Sequence, residues 1–257
     1  MNKILKAELL KLFNSRTFKA VIIASIVIAY LFPIIHILGE KQFNLQANGE
    51  SIKANFIFFE IISTDVMAIL MSMIVSESVA KEYSEGTMKN TLAYGVKRTK
   101  FYFAKYIANV IVMLIVMAIM SIGSTLLFTL IKGWGQQFEM SQLINMVRYF
   151  FGSAVIFAAM LAVIMFISTV VKSGGTTITL TVIIFILIPF ILKIVSSLNI
   201  SELVNKMYGV TLCYNFNIVK AVGSSNFEII KASLIGFVWM VIALSAGAGL
   251  LKKQEIK

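Results

Sequence analysis

The chain has 257 residues, of which 59% are hydrophobic and 14% charged, with a formal net charge of +11. A soluble domain is about 45–50% apolar and about 25% charged, so a chain of mean hydropathy +0.90 needs lipid as the solvent for much of its surface. The long apolar runs lack the polar alternation of a barrel, the single histidine and single cysteine exclude a disulfide within the chain and give no metal-ligand spacing, and basic residues flanking apolar runs indicate membrane topology, not nucleic acid.

The first 17 residues form a candidate amphipathic helix lying in the headgroup plane. Ile4, Leu5, Leu9, Leu12 and Phe13 fall near one face, with Lys3, Lys6 and Lys11 elsewhere. The same helix could also contact a partner. The first apolar run starts near Phe18, too late for a cleaved signal, and no small-residue cleavage pattern follows it.

A hydrocarbon core takes about 20 apolar residues of helix. Six stretches qualify: Phe18–Leu38, Phe56–Ser76, Tyr106–Ile131, Val147–Val171, Thr176–Leu198 and Ala232–Leu251. The expected class is therefore an all-α integral membrane protein, one transmembrane domain over 1–257. His36, at the end of the first run, reads as an interfacial polar tip, and Cys213 as a buried, inert thiol.

The second stretch is the least apolar, because it contains Glu60, Ser63, Thr64 and Asp65. A charge within a span costs about 2.5–3.5 kcal/mol on insertion scales, so it faces protein or water. Glu60 fits a shallow start at the headgroups. Asp65 is deeper, and is a candidate for pairing inside the bundle or lining a path for a cationic substrate. Five positions apart, the two do not share a helix face.

Lysines and arginines set the orientation. Fifteen of the 23 lie in the N-terminal tail, the 77–105 segment, Lys172 and the C-terminal tail, and eight lie in the other connections. Both termini are thus expected in the cytoplasm. The longest outer connection, 199–231, carries apolar pieces such as Leu203-Val204 and could dip into the outer leaflet as short helices.

The 77–105 segment is a charged island pinned at both ends in lipid. Gly86 permits a sharp turn after Glu85, Thr87 is a good N-cap, Met88–Tyr94 can make two helical turns, and Gly95 is a natural stop. A second cap at Thr99 would start the third span. A bare hairpin needs only a handful of residues, as Val171–Thr176 illustrates, so a short helix parallel to the membrane and gripped by a partner is the better reading. Small residues on the spans (Ala154, Ala158 and Ala162; Ala243 and Gly247) permit close helix contact, within the bundle or across a dimer face.

The run from Glu82 to Leu92, with Arg98 and Lys105 after it and Glu8-Leu-Leu-Lys-Leu-Phe-Asn-Ser-Arg16 before it, resembles the ABC-2-type permeases, six-span membrane subunits of bacterial ABC transporters. It looks closest to those of lantibiotic self-protection, bacitracin resistance and amphipathic peptide-toxin export. One departure is Tyr94-Gly-Val, where many relatives carry a proline. The resemblance implies a cytoplasmic coupling helix seated in a cleft of an ATPase. Glu82, Glu85, Gly86, Thr87, Met88, Lys89 and Leu92 would be its contact residues, and Arg98 and Lys105 would set the register of the third span. It implies two copies of a cytosolic ABC ATPase, a second permease (identical or homologous), and a peptide substrate, in the bacterial cell membrane. ATP and Mg would sit on the ATPase, with no cofactor or metal on this chain.

No Gly-x-x-x-x-Gly-Lys-Ser/Thr loop occurs in the chain, so ATP hydrolysis would belong to another polypeptide. Export of a lipid, drug or ion is the alternative within the same architecture, and a non-transporting scaffold or sensor the alternative outside it. An intramembrane enzyme is disfavoured, since no catalytic residues cluster and no His-Glu-x-x-His occurs.

Overall fold

The computed structural model describes residues 2–43, 53–87, 97–134, 139–198, 202–221 and 223–253. The short helix expected over Met88–Tyr94, with Met88, Lys89, Leu92 and the Gly95 stop, lies outside the described residues. Every regular element among the described residues is helical, as expected for spans whose backbone groups must be satisfied internally.

In chain order the helices are α1 (Asn2–Asn14), α2 (Arg16–Phe43) and α3 (Ala54–Glu60). There follow α4 (Thr64–Ser84), α5 (Arg98–Lys132), α6 (Met140–Val171) and α7 (Gly174–Ser197). The last three are α8 (Glu202–Val210), α9 (Leu212–Lys220) and α10 (Asn226–Lys253). Helices α2, α5, α6, α7 and α10 are each long and apolar enough to cross a bilayer, and α3 with α4 makes a sixth span bent by 51°. The break falls at 61–63, where Ser63 caps α4 by accepting a hydrogen bond from the Val66 amide at 3.3 Å. The third span begins at Arg98, behind an extended Lys97, so Thr99 sits inside its first turn and is not its cap.

Helix α6 is the hub. It packs on α10 most extensively, and also on α4, α5, α7 and α9. Its apolar window is 61% buried, against 17% for α7 at the edge of the bundle. The small residues are used for these internal contacts. A Cβ at Gly236 would meet Ile156 Cδ1 at 3.0 Å, and one at Gly247 would collide with the Tyr102 hydroxyl. Ala162 is wholly buried within the chain, and the Ala158 carbonyl accepts from Tyr106 Oη at 3.0 Å. Buried hydroxyls on α5 (Ser121, Ser124 and Thr125) donate to carbonyls one turn back, which removes the penalty of an unpaired polar group in an apolar interior.

Helices α4 and α7 each contain one π-helical stretch, at Ser76–Ala80 and Ile183–Leu187. An α-helical residue 189 would donate to the Phe185 carbonyl, but Pro189 has no N–H to give. The Cys213 thiol of α9 donates there instead at 3.2 Å. Helices α8 and α9 form a hairpin whose apex reaches far along α10. The Val210 carbonyl accepts from Trp239 Nε1 at 3.1 Å, which lies about 20 Å along α10 at 1.5 Å per residue. His36 sits between aromatic rings, 4.5 Å from Phe32 and 6.1 Å from Phe56.

Candidate functional site

Charged side chains collect at the two ends of the bundle, and differently at each. At the end where α1 begins and α10 closes, Lys105 of α5 is only 2% exposed. Its ammonium lies 2.7 Å from Glu8 Oε2, 2.8 Å from Glu82 Oε2 and 2.7 Å from the Ser78 carbonyl. Glu8 and the Ser78 carbonyl accept hydrogen bonds from it, and Glu82 Oε2 lies beside them as an ion-pair contact. Lys11 pairs with the same Glu82. Glu77, one turn earlier, accepts from Thr17 Oγ1 at 2.9 Å and Lys81 Nζ at 2.8 Å, and Asn109 Nδ2 donates to Ser78 Oγ at 3.0 Å. These bonds join α1, α2, α4 and α5 through the π-helical stretch of α4. Lys105, expected to set the register of the third span, is the centre of a buried charge network.

The amphipathic face of α1 closes over this network. Leu12 is buried, Ile4, Leu5 and Leu9 pack against the core, and Glu8 points inward. Of the residues expected to contact a partner, Glu82 is 3% exposed and engaged by the two lysines, while Glu85 is exposed. Gly86 adopts φ +67°, a left-handed turn that favours glycine, and helix resumes at Thr87. Across the gap, Arg98 Nη1 donates to the Leu251 and Lys252 carbonyls at 3.1 and 3.2 Å, satisfying carbonyls at the end of α10. Lys172, in the α6–α7 connection, sits 5.6 Å over the Tyr83 ring. The N-terminal helix, both flanks of the 88–96 segment, the α6–α7 turn and the end of α10 thus share one end of the molecule.

At the opposite end Glu60 pairs with Lys220 at 2.6 Å, locking the break in the second span to α9. Tyr149 of α6 braces the same break by donating to the Phe59 carbonyl at 3.0 Å. Asp65, in the first turn of α4, is exposed; the Thr64 hydroxyl donates to it at 3.4 Å. It borders a cleft of about 230 Å³ that also carries Lys193, Tyr208 and Lys220. The structure thus puts Glu60 and Asp65 in different surroundings on either side of the bend. Among the described residues no group of three or more His, Cys, Asp or Glu could hold a metal ion.

The charge pattern pointed to the 77–105 segment but not to Glu8, Ser78 and Asn109, whose roles depend on packing. The one available signal was Lys105 itself, enclosed in the run Phe101-Tyr-Phe-Ala-Lys-Tyr106, since a lysine among aromatic residues beside a span needs a partner.

No curated protein matches the chain significantly. The model of the ABC-2 family transporter protein matches residues 4–188, which takes in α1, both parts of the second span, the charge network and most of α7. The chain belongs to the ABC-2 transporter family.

Proposed function

We propose that this chain is the membrane permease of an ATP-driven bacterial exporter of amphipathic or antimicrobial peptides. A separate cytosolic ABC ATPase, in two copies, docks on the end that carries both termini, and a second permease completes the transporter. That end faces the cytoplasm, in keeping with its fifteen of 23 lysines and arginines. The observation that carries the reading is the network around Lys105. It ties the stretch of chain entering the 88–96 segment to α1 and α5 through Glu82, so force on the Glu85-Gly86-Thr87 turn passes into three helices together.

Glu82 holds the turn in place from inside, and Glu85, Gly86, Thr87, Met88, Lys89 and Leu92 meet the ATPase. Amphipathic peptides partition into lipid, so a compact permease of this kind can collect them at the membrane. The test is co-expression with the ABC ATPase encoded beside this chain, followed by ATPase measurement in lipid. A stable complex whose turnover responds to cationic amphipathic peptides, and which Gly86→Glu or Thr87→Glu uncouples, is expected. No bound ATPase, or turnover indifferent to both substitutions, would sink the proposal.

A further inference from the structure

Two cavities in the half of the bundle away from the termini share a wall. One is the polar cleft of about 230 Å³ bordered by Asp65, Lys193, Tyr208 and Lys220. The other, about 170 Å³, is apolar, with Val163, Ile184, Ile188, Leu212 and Trp239 in its lining. Phe185, Pro189 and Cys213 border both. The wall is therefore the place where α7 departs from regular helix and the α9 thiol donates to the Phe185 carbonyl.

The charges of the cleft are not mutually satisfied. Lys220 is held by Glu60 at 2.6 Å. Asp65 and Lys193 are exposed, and among the described residues neither makes an ion pair. One carboxylate and one ammonium thus face a common space, a pattern that suits a ligand carrying both signs of charge.

Depth sets the orientation of that ligand. Asp65 lies in the first turn of α4 and Lys193 in the last turns of α7, both near the end of the bundle. Trp239, in the apolar cavity, lies about 20 Å along α10. The polar part of a bound molecule would sit near the bilayer surface and its apolar part would point toward the midplane, as in a lipid of that leaflet. A peptide helix is about 10–12 Å across, too broad for the apolar cavity, whereas a stretch of one acyl chain fits. Ile188 lines the cavity and is also 44% exposed on the outer face of α7, so a chain can enter sideways from the bilayer.

We propose that the two adjoining cavities together bind one zwitterionic phospholipid with a primary ammonium headgroup. Its phosphate meets Lys193, its ammonium meets Asp65, and one acyl chain lies against Ile184, Ile188 and Trp239. The site rests on the chain spanning a bilayer and is independent of peptide export, so its test needs no ATPase.

Trp239 is one of two tryptophans, and Trp134→Phe leaves it as the sole reporter. The purified full chain with that substitution is titrated in detergent with phospholipids brominated on the acyl chain, which quench tryptophan on contact. Saturable quenching is expected, with phosphatidylethanolamine binding about fivefold more tightly than phosphatidylglycerol. Asp65→Asn, at an exposed position, should remove that preference, and Lys193→Gln, also exposed, should weaken the binding of both lipids. Glycerophosphoethanolamine, the headgroup without chains, should not displace the lipid. Equal quenching by every headgroup overturns the proposal, as does a preference that survives Asp65→Asn or binding that Lys193→Gln leaves unweakened. Full displacement by the chainless headgroup overturns the lipid in favour of a soluble phosphate compound.

Discussion

Lys105 and Lys193 are the same residue type at opposite ends of one bundle, and their surroundings give them opposite uses. Lys105 is enclosed, hydrogen-bonded to Glu8 and to the Ser78 carbonyl and ion-paired with a carboxylate from each of two other helices. Lys193 is exposed beside a cleft and faces Asp65 across space that protein does not fill. Each lies near a π-helical stretch with a carbonyl engaged from another helix, Ser78 by Lys105 and Phe185 by Cys213. Such stretches recur at functional sites. In one case the second helix brings a full charge and the junction is closed; in the other it brings a thiol and the wall of a cavity remains. Charge within a membrane bundle thus holds structure where it is fully paired, and is open to a ligand where it is not.

The contrast can be broken at several points. The largest effect is expected from Lys105→Met, which strands the buried Glu8 carboxylate and leaves the buried Glu82 with Lys11 alone. Losing one partner of a buried pair costs about 3–5 kcal/mol, and thermal unfolding in detergent should register it. Adding Glu8→Gln and Glu82→Gln to that variant should recover most of the loss. An unchanged Lys105→Met protein would show the network to be no more structural than the cleft.

Next is Gly247→Ala, which drives a methyl into the buried Tyr102 ring between α5 and α10. Overpacking of this kind costs about 1–3 kcal/mol, and Tyr102→Phe, which removes the nearest atom, should return part of it. Cys213→Ala should cost about 1 kcal/mol by leaving the Phe185 carbonyl without its donor. Cys213→Ser, which restores an O–H, should cost less by the same unfolding assay. Asp65→Asn and Lys193→Gln should sit at the bottom of the scale, within about 0.5 kcal/mol of the parent, changing lipid binding alone. A large loss of stability from either would place the cleft in the same class as the network.

Much of this arrangement could be read in the residues, and the rest fails for a common reason. Long apolar runs mark the spans because length and composition are local properties. The polar cluster Glu60, Ser63, Thr64 and Asp65 marks the second span as irregular, and the bend falls within it. Gly86 marks its turn, because φ +67° suits few other residues. The partners of Lys105 were not legible, since Glu8 lies 97 positions away and only the packing of α1 brings it near. Thr99 looked like the cap of α5, yet the helix begins one residue earlier, within the usual looseness of helix ends. The depth of the α8–α9 hairpin was not legible either, since it rests on the packing of α9 against α6 and α10 and on a distant bond from Trp239 to Val210.

The dependence of α6 on α10 has a consequence for how the chain is made. The most enclosed span finds its principal neighbour in a helix that leaves the ribosome only after α7 and the hairpin have been synthesised. Until then the groove that later receives Gly236 beside Ile156 faces lipid or the insertion machinery. Arg98, already threaded, has no Leu251 or Lys252 carbonyl to grasp. The bundle is therefore completed late: the Lys105 network joins helices that are already made, and the contacts of α10 with α6 and with Arg98 form last.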